Sequence, residues 1–187
     1  MIMPSVLASV VKALDAAQIP HMLTGSVAAA WHGAGRATLD VDLVVEARID
    51  QVDPFITALS DRSLYVSDTA AREAIANESM FNVVDTATGW KVDLMVRKSR
   101  PFSHAEFARR RPIEVDGLQL HVASLEDLIV AKLEWAKLGG SARQLEDVAT
   151  MVRVAGTGIA HDYLNHWIDE LELQAQWHVV RDGHDTA

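Results

Sequence analysis

The chain contains no cysteine, which excludes a disulfide framework and thiolate chemistry. Its first residues, Met1-Ile2-Met3-Pro4-Ser5, are not a basic stretch leading into a long apolar core, so no secretory leader is expected. No apolar run approaches the roughly 20 residues of a membrane span. These absences together predict a cytoplasmic protein with no membrane partner. Positive charge is also scarce: 17 Lys and Arg stand against 26 Asp and Glu, a formal charge of −9. That balance disfavours indiscriminate binding to nucleic acid. It leaves two local basic clusters, Arg97-Lys98-Ser99-Arg100 and Arg109-Arg110-Arg111. Neither His-Glu-x-x-His nor a Cys/His spacing occurs, which removes the usual zinc signatures. His104 and His121 stand alone and read as ordinary polar residues. Internal repeats and low-complexity tracts are absent too.

What is present is enough for a substantial core. The chain has 187 residues, 49% of them hydrophobic, the size of one ordinary domain. Val6, Leu7, Val10, Val11 and Leu14 recur at helical spacing and predict a helix over 4–17. A strand follows over 21–24, then a short helix over 26–32 that ends at Gly33-Ala34-Gly35. Helical patterns recur at 49–59 and at 69–77, where Thr69 is the candidate cap. Strands are expected at 64–67, 80–85 and 90–96. After a loop and short helix over 101–111, Asp116-Gly117 marks a hairpin between 113–115 and 118–122. Ser124-Leu125-Glu126-Asp127 is a variant capping box. It opens a helix to Gly139-Gly140, followed by helices over 141–154 and 162–177 and a frayed tail from Arg181.

The chemistry concentrates between Leu23 and Glu46. Gly25-Ser26 separates an apolar strand from a short helix. Fifteen residues on, Leu39-Asp40-Val41-Asp42-Leu43-Val44-Val45-Glu46 alternates as a strand does. Asp40 and Asp42 therefore point to one face, with Cα atoms about 6.5 Å apart by strand rise. Two carboxylates so placed can address one divalent ion or two neighbouring ones. The plain alternative is a solvated strand face. Gly25 and Ser26 equally read as an anion-binding turn or as a tight turn with an N-cap. A third acid, Asp93, is the only one in the apolar strand Lys91-Val92-Asp93-Leu94-Met95-Val96. It belongs either to a site or to a satisfied structural position. Arg36 and Thr38 lead into the Asp40 strand. Arg36 suits phosphate, or is a surface arginine paired with an acid.

Gly25-Ser26 followed by Arg36-Ala37-Thr38-Leu39-Asp40-Val41-Asp42-Leu43 resembles the signature of the nucleotidyltransferase superfamily, which has the DNA polymerase beta-like fold. That signature is a Gly-Ser turn, Asp-x-Asp on a strand, and a third carboxylate on a later strand. The branch it most resembles is the AbiEii-type, or MenT-like, nucleotidyltransferases, many of them toxins of toxin–antitoxin pairs. The resemblance runs from about Leu23 to Val148 and takes in two helical residues. Lys132, the lone cation within Leu128-Ile129-Val130-Ala131-Lys132-Leu133, matches a lysine implied in binding nucleotide phosphates. Asp147, in Arg143-Gln144-Leu145-Glu146-Asp147-Val148, matches an acid implied in activity. In this sequence Gln144-Leu145 replaces the charged pair common there. The alternative for both is structural: Lys132 snorkels from a core helix, and Asp147 pairs with it or with Arg143.

The resemblance implies an α/β (α+β) fold: a mixed twisted sheet flanked by helices over 1–122, with a helical part over 123–180, forming one nucleotidyltransferase-like domain and a cleft. It implies Mg²⁺ or Mn²⁺ held by Asp40, Asp42 and Asp93, with Asp93 a ligand or the base. Gly25, Ser26, Arg36, Thr38 and Lys132 would bind an NTP. The expected reaction moves an NMP to an acceptor hydroxyl on RNA, protein or a small molecule, and a cognate antitoxin is a further expected partner. An aminoglycoside-modifying type of enzyme and a degenerate, non-catalytic nucleotide-binding module are the alternatives.

Overall fold

The protein is described from a computed structural model, which covers residues 5–35, 38, 40–59 and 63–182. Arg36 and Leu39 lie outside the described residues, as do Pro4 and the tail from Gly183. Seven strands are described, β1 (His21–Thr24), β2 (Asp40–Val45), β3 (Leu64–Val66), β4 (Met80–Asp85), β5 (Lys91–Val96), β6 (Arg111–Val115) and β7 (Leu118–Val122). The helices are α1 (Ser5–Ala16), α2 (Gly25–Trp31), α3 (Val52–Ala58), α4 (Asp68–Ala76), α5 (Pro101–Ala108), α6 (Leu125–Gly139), α7 (Ala142–Ala155), α8 (His161–Glu170) and α9 (Gln174–Asp182). The strands form one mixed sheet in the order β3-β4-β5-β2-β1-β7-β6. The pairs β2–β5 and β1–β7 are parallel and the rest antiparallel. This is the mixed α/β fold that the resemblance implied. Among the described residues, no helix is long and apolar enough to cross a membrane.

The chain divides into two compact units. The first holds the whole sheet, α1, α3, α4, α5 and, from α2, Gly25 and Ser26; the second holds the rest of α2 and α6 to α9. In the first unit, one sheet face is an apolar row repeated across strands. Phe81 and Val83 of β4 lie opposite Leu94 and Val92 of β5, which lie opposite Leu43 and Val41 of β2. All six are buried, as is the α1 stripe Val6, Leu7, Val10, Val11 and Leu14. Phe55 of α3 meets Phe81 edge to face, with ring centroids 6.3 Å apart. Burial of this kind supplies most of a domain's stability.

Three boundaries depart from the periodicity, each for a local reason. The pattern over 49–59 is a 3₁₀ turn, Ile49–Gln51, followed by α3. An unbroken helix would need an N–H at position 54, and Pro54 has none; in the first turn of a new helix that lack costs nothing. The cap of α4 is Ser67, not Thr69, since the Ser67 hydroxyl accepts from the Ala70 amide at 3.2 Å. The pattern over 162–177 is two helices, α8 and α9, interrupted where Glu172 turns left-handed at φ 54°. Lys137 of α6 donates to the Leu171 and Glu172 carbonyls at 3.1 and 3.0 Å, capping the orphaned end of α8.

Other turns are as their residues dictate. Asp116 and Gly117 both have positive φ, 52° and 76°, the requirement of a two-residue hairpin turn. Ser124 caps α6 by accepting from the Asp127 amide, and Gly140 ends it at φ 61°. In the second unit Asp127 is fully buried, with the Ser124 and Tyr163 hydroxyls each 2.5 Å from its carboxylate. Losing one such donor leaves a buried charge less satisfied, at a cost of about 1–3 kcal/mol. Tyr163→Phe is therefore expected to lower unfolding free energy by about that amount in urea titrations, with the slope m unchanged.

Candidate active site

The site is built by strand register. On the sheet face opposite the apolar row, Thr24 of β1 lies opposite Asp42 of β2. Asp42 lies opposite Asp93 of β5, and Asp93 opposite Asn82 of β4. Four polar side chains thus form one rung across four strands, about 4.8 Å from strand to strand. The next rung toward the start of β2 carries Asp40 opposite Lys91. The rung on the other side is Met22, Val44, Met95 and Met80, in which Val44 and Met95 are joined through the parallel β2–β5 pair. The polar groups are therefore confined to one end of the central strands.

The three predicted acids come together on this face, in graded burial. Asp40 is exposed, Asp42 half-buried and Asp93 buried at 7%. Thr38 orients the entry to β2, its hydroxyl accepting from the Asp40 amide at 3.1 Å. Gly25 opens α2 at φ 63°, and a Cβ there would stand 2.5 Å from Asp42 Cγ. Only glycine combines that backbone angle with that approach. Ser26 is buried beside it. The Gly-Ser turn is thus pressed against the second Asp of the Asp-x-Asp pair, an adjacency that fifteen intervening residues conceal in the sequence.

Lys91 is the residue that motif reading passed over. Its Nζ stands 3.0 Å from Asp93 Oδ2 and 3.7 Å from Asp40 Oδ1. The hydrogen bond to Asp93 raises its pKa above the usual lysine value, despite partial burial, with the charges of Asp93 and Asp40 adding to the effect. Alternation along β5 does place Lys91 on the Asp93 face; only the β2–β5 register brings it to Asp40. Asp93 Oδ1 is buried with no hydrogen-bond partner among the described residues. Among the described residues, no three His, Cys, Asp or Glu side chains stand close enough together to hold a metal ion. Asp40 and Asp93 are instead spaced around an ammonium, wider than the about 2.0–2.1 Å of Mg²⁺ contacts.

The second unit carries the other two predicted residues as a closed pair. Lys132 of α6 is 3% exposed. Its Nζ donates to Asp147 Oδ2 at 2.7 Å and to Gln144 Oε1 at 2.9 Å, both on α7. Gln144, where the sequence departs from the resembled motif, is thus an acceptor for the same ammonium. His104 packs on Arg97, 2.7 Å from Nδ1 to the guanidinium. His121 is held below its ordinary pKa, by burial first and then by Arg110 and His21.

No family model matches the chain, and no curated protein matches it in sequence. Solved structures do. ANT(2")-Ia in complex with adenylyl-2"-tobramycin aligns at TM-score 0.57 and 13% identity, over 91% of this chain and 97% of its own. The solution structure of the antibiotic-resistance factor ANT(2'')-Ia aligns at 0.53 and 13%, over 98% and 97%. An antigenic nucleotidyltransferase-like protein from Paracoccidioides brasiliensis aligns at 0.54 and 19%, over 93% of each chain. At these identities the likeness is one of fold, and the fold is nucleotidyltransferase-like.

The buried pair makes a prediction independent of any reaction. Removing one partner strands the other charge, at about 3–5 kcal/mol, whereas replacing both by apolar groups costs far less. Asp147→Leu is expected to destabilise the chain by about 3–5 kcal/mol, and Lys132→Met with Asp147→Leu to recover most of that loss in denaturant melts.

Proposed function

We propose that the chain is a nucleotidyltransferase that moves an NMP from an NTP to an acceptor hydroxyl and releases pyrophosphate. The observation that supports it most is the in-register pairing of Asp42 with Asp93, with Gly25 pressed on Asp42. A carboxylate rung alone would serve many purposes. Its junction with a glycine turn opening a helix suits a triphosphate beside a cation.

The residues fit a divalent cation by chemistry. Their donors are all carboxylate oxygens, the ligands Mg²⁺ and Mn²⁺ prefer, and one buried oxygen of Asp93 has no partner among the described residues. In the proposal Asp40, Asp42 and Asp93 hold Mg²⁺ or Mn²⁺. The ion, when bound, supplies a positive charge that offsets the charge developing on the phosphoryl oxygens. Gly25 lets the backbone approach the triphosphate, and Ser26 Oγ donates to a phosphate oxygen. The acceptor oxygen attacks the α-phosphorus, its proton passes to Asp93, and the bond to the β-phosphate oxygen breaks. Arg36, Thr38 and Lys132 are assigned to the nucleotide on the resemblance alone. Two of the three N–H donors of the Lys132 ammonium are held by Asp147 and Gln144.

The acceptor defines two forms of the proposal. The AbiEii/MenT resemblance favours RNA or protein, with the chain as the toxin of a pair and an antitoxin as its partner. The length-wide alignment with ANT(2")-Ia, seen with adenylyl-2"-tobramycin, favours a small hydroxylated molecule. Incubation with each α-labelled NTP and Mg²⁺, with total RNA, with lysate protein and with an aminoglycoside panel, tests both at once. Label is expected on one acceptor class, reduced about 10²–10³-fold or more by Asp42→Asn. Tight NTP binding with no transfer to any class would instead favour the non-catalytic module.

A further inference from the structure

We propose that Lys91 is a resident competitor of the divalent cation: its ammonium stands between Asp40 and Asp93, and the cation enters by displacing it. The inference rests on the reading above that these acids hold such an ion, and it adds a residue that reading does not use.

The geometry supports exchange rather than coexistence. Lys91 and Asp93 lie two apart on β5, so both point to one face, and Lys91 is in register with Asp40. Its Nζ contacts Asp93 Oδ2 at 3.0 Å and Asp40 Oδ1 at 3.7 Å. Those separations suit an ammonium, and ligation by both acids at about 2.1 Å requires them to close on a smaller ion. A dication at that point would lie a few ångströms from a fixed positive charge and be repelled by it. The ammonium serves Asp93 incompletely, because Oδ1 remains buried without a partner among the described residues. Such an oxygen is costly to leave unmet, so a doubly charged ion that engages Asp93 more fully is favoured once Lys91 moves aside. The lysine stem is flexible and its side chain is 34% exposed, so it can swing toward solvent without repacking the sheet.

Two consequences separate this role from a merely structural one. Without Lys91, Asp40 and Asp93 lose the ammonium that stands between them, so the metal-free protein is less stable. For the same reason it binds a dication more tightly. A lysine that positioned the carboxylates for the ion would give the opposite sign in binding.

The test uses the full chain without nucleotide, with Mn²⁺ as probe. Binding is read by calorimetry and water-proton relaxation, and stability by thermal melts with and without Mn²⁺. Relative to the unaltered protein, Lys91→Met is expected to lower the Mn²⁺ Kd about tenfold, to melt lower without Mn²⁺, and to gain more in Tm when Mn²⁺ is added. Lys91→Arg retains the charge and is expected to stay within about threefold of the unaltered Kd. Asp93→Asn is the control for the site. If Lys91→Met binds Mn²⁺ no more tightly than the unaltered protein while Asp93→Asn loses binding, the competitor role is overturned and the metal site stands. If neither the unaltered protein nor Lys91→Met takes up Mn²⁺, the metal reading fails and this inference falls with it.

Discussion

The parallel pairing of β2 with β5 is the contact on which the candidate site depends. It sets Asp42 directly beside Asp93 and Asp40 beside Lys91. Like charges so close repel, and a cation among them relieves the repulsion. Here the cation is supplied by the same strand that supplies the third acid. A slip of one residue in this register would turn Lys91 and Asp93 to the opposite face. The slip is prevented from the other side of the sheet, where Val41, Leu43, Val92 and Leu94 are fully buried in the core. The apolar face thus holds the polar face in register.

The glycine turn is tied to the same strand from the other neighbour. Because β1 is antiparallel to β2 and Thr24 is opposite Asp42, the residue after β1 arrives at the second carboxylate. Gly25 is the residue that can turn there at positive φ without a side chain in the way. The glycine turn and the second carboxylate are then contiguous, which is the physical content of the resemblance noted in the sequence.

The helical unit solves a different problem. Asp127, Lys132 and Asp147 are buried charges, and each has close polar partners: Ser124 and Tyr163 for Asp127, Asp147 and Gln144 for Lys132. Buried ionic groups with partners of this quality fix how helices mate more than they add stability. The motif residues Lys132 and Asp147 thereby have a structural occupation of their own, whatever part they take in chemistry.

Much of this was legible in the chain. Alternation identified the faces of β2 and β5, the Asp-Gly pair fixed the last hairpin, and Ser124 marked the start of α6, because each depends on neighbours in sequence. The acids Asp40, Asp42 and Asp93 were recognisable by type and spacing. The breaks at Gln51 and at Glu172 were less so: one turns on a missing proline N–H, the other on a lysine from a distant helix capping the end of α8. The meeting of Asp42 with Asp93, the contact of Gly25 with Asp42 and the placing of Lys91 between two acids were decided by tertiary structure alone. Periodicity gives each strand a face, but the order and register of strands come from how the whole core packs, and that information is spread over the entire chain.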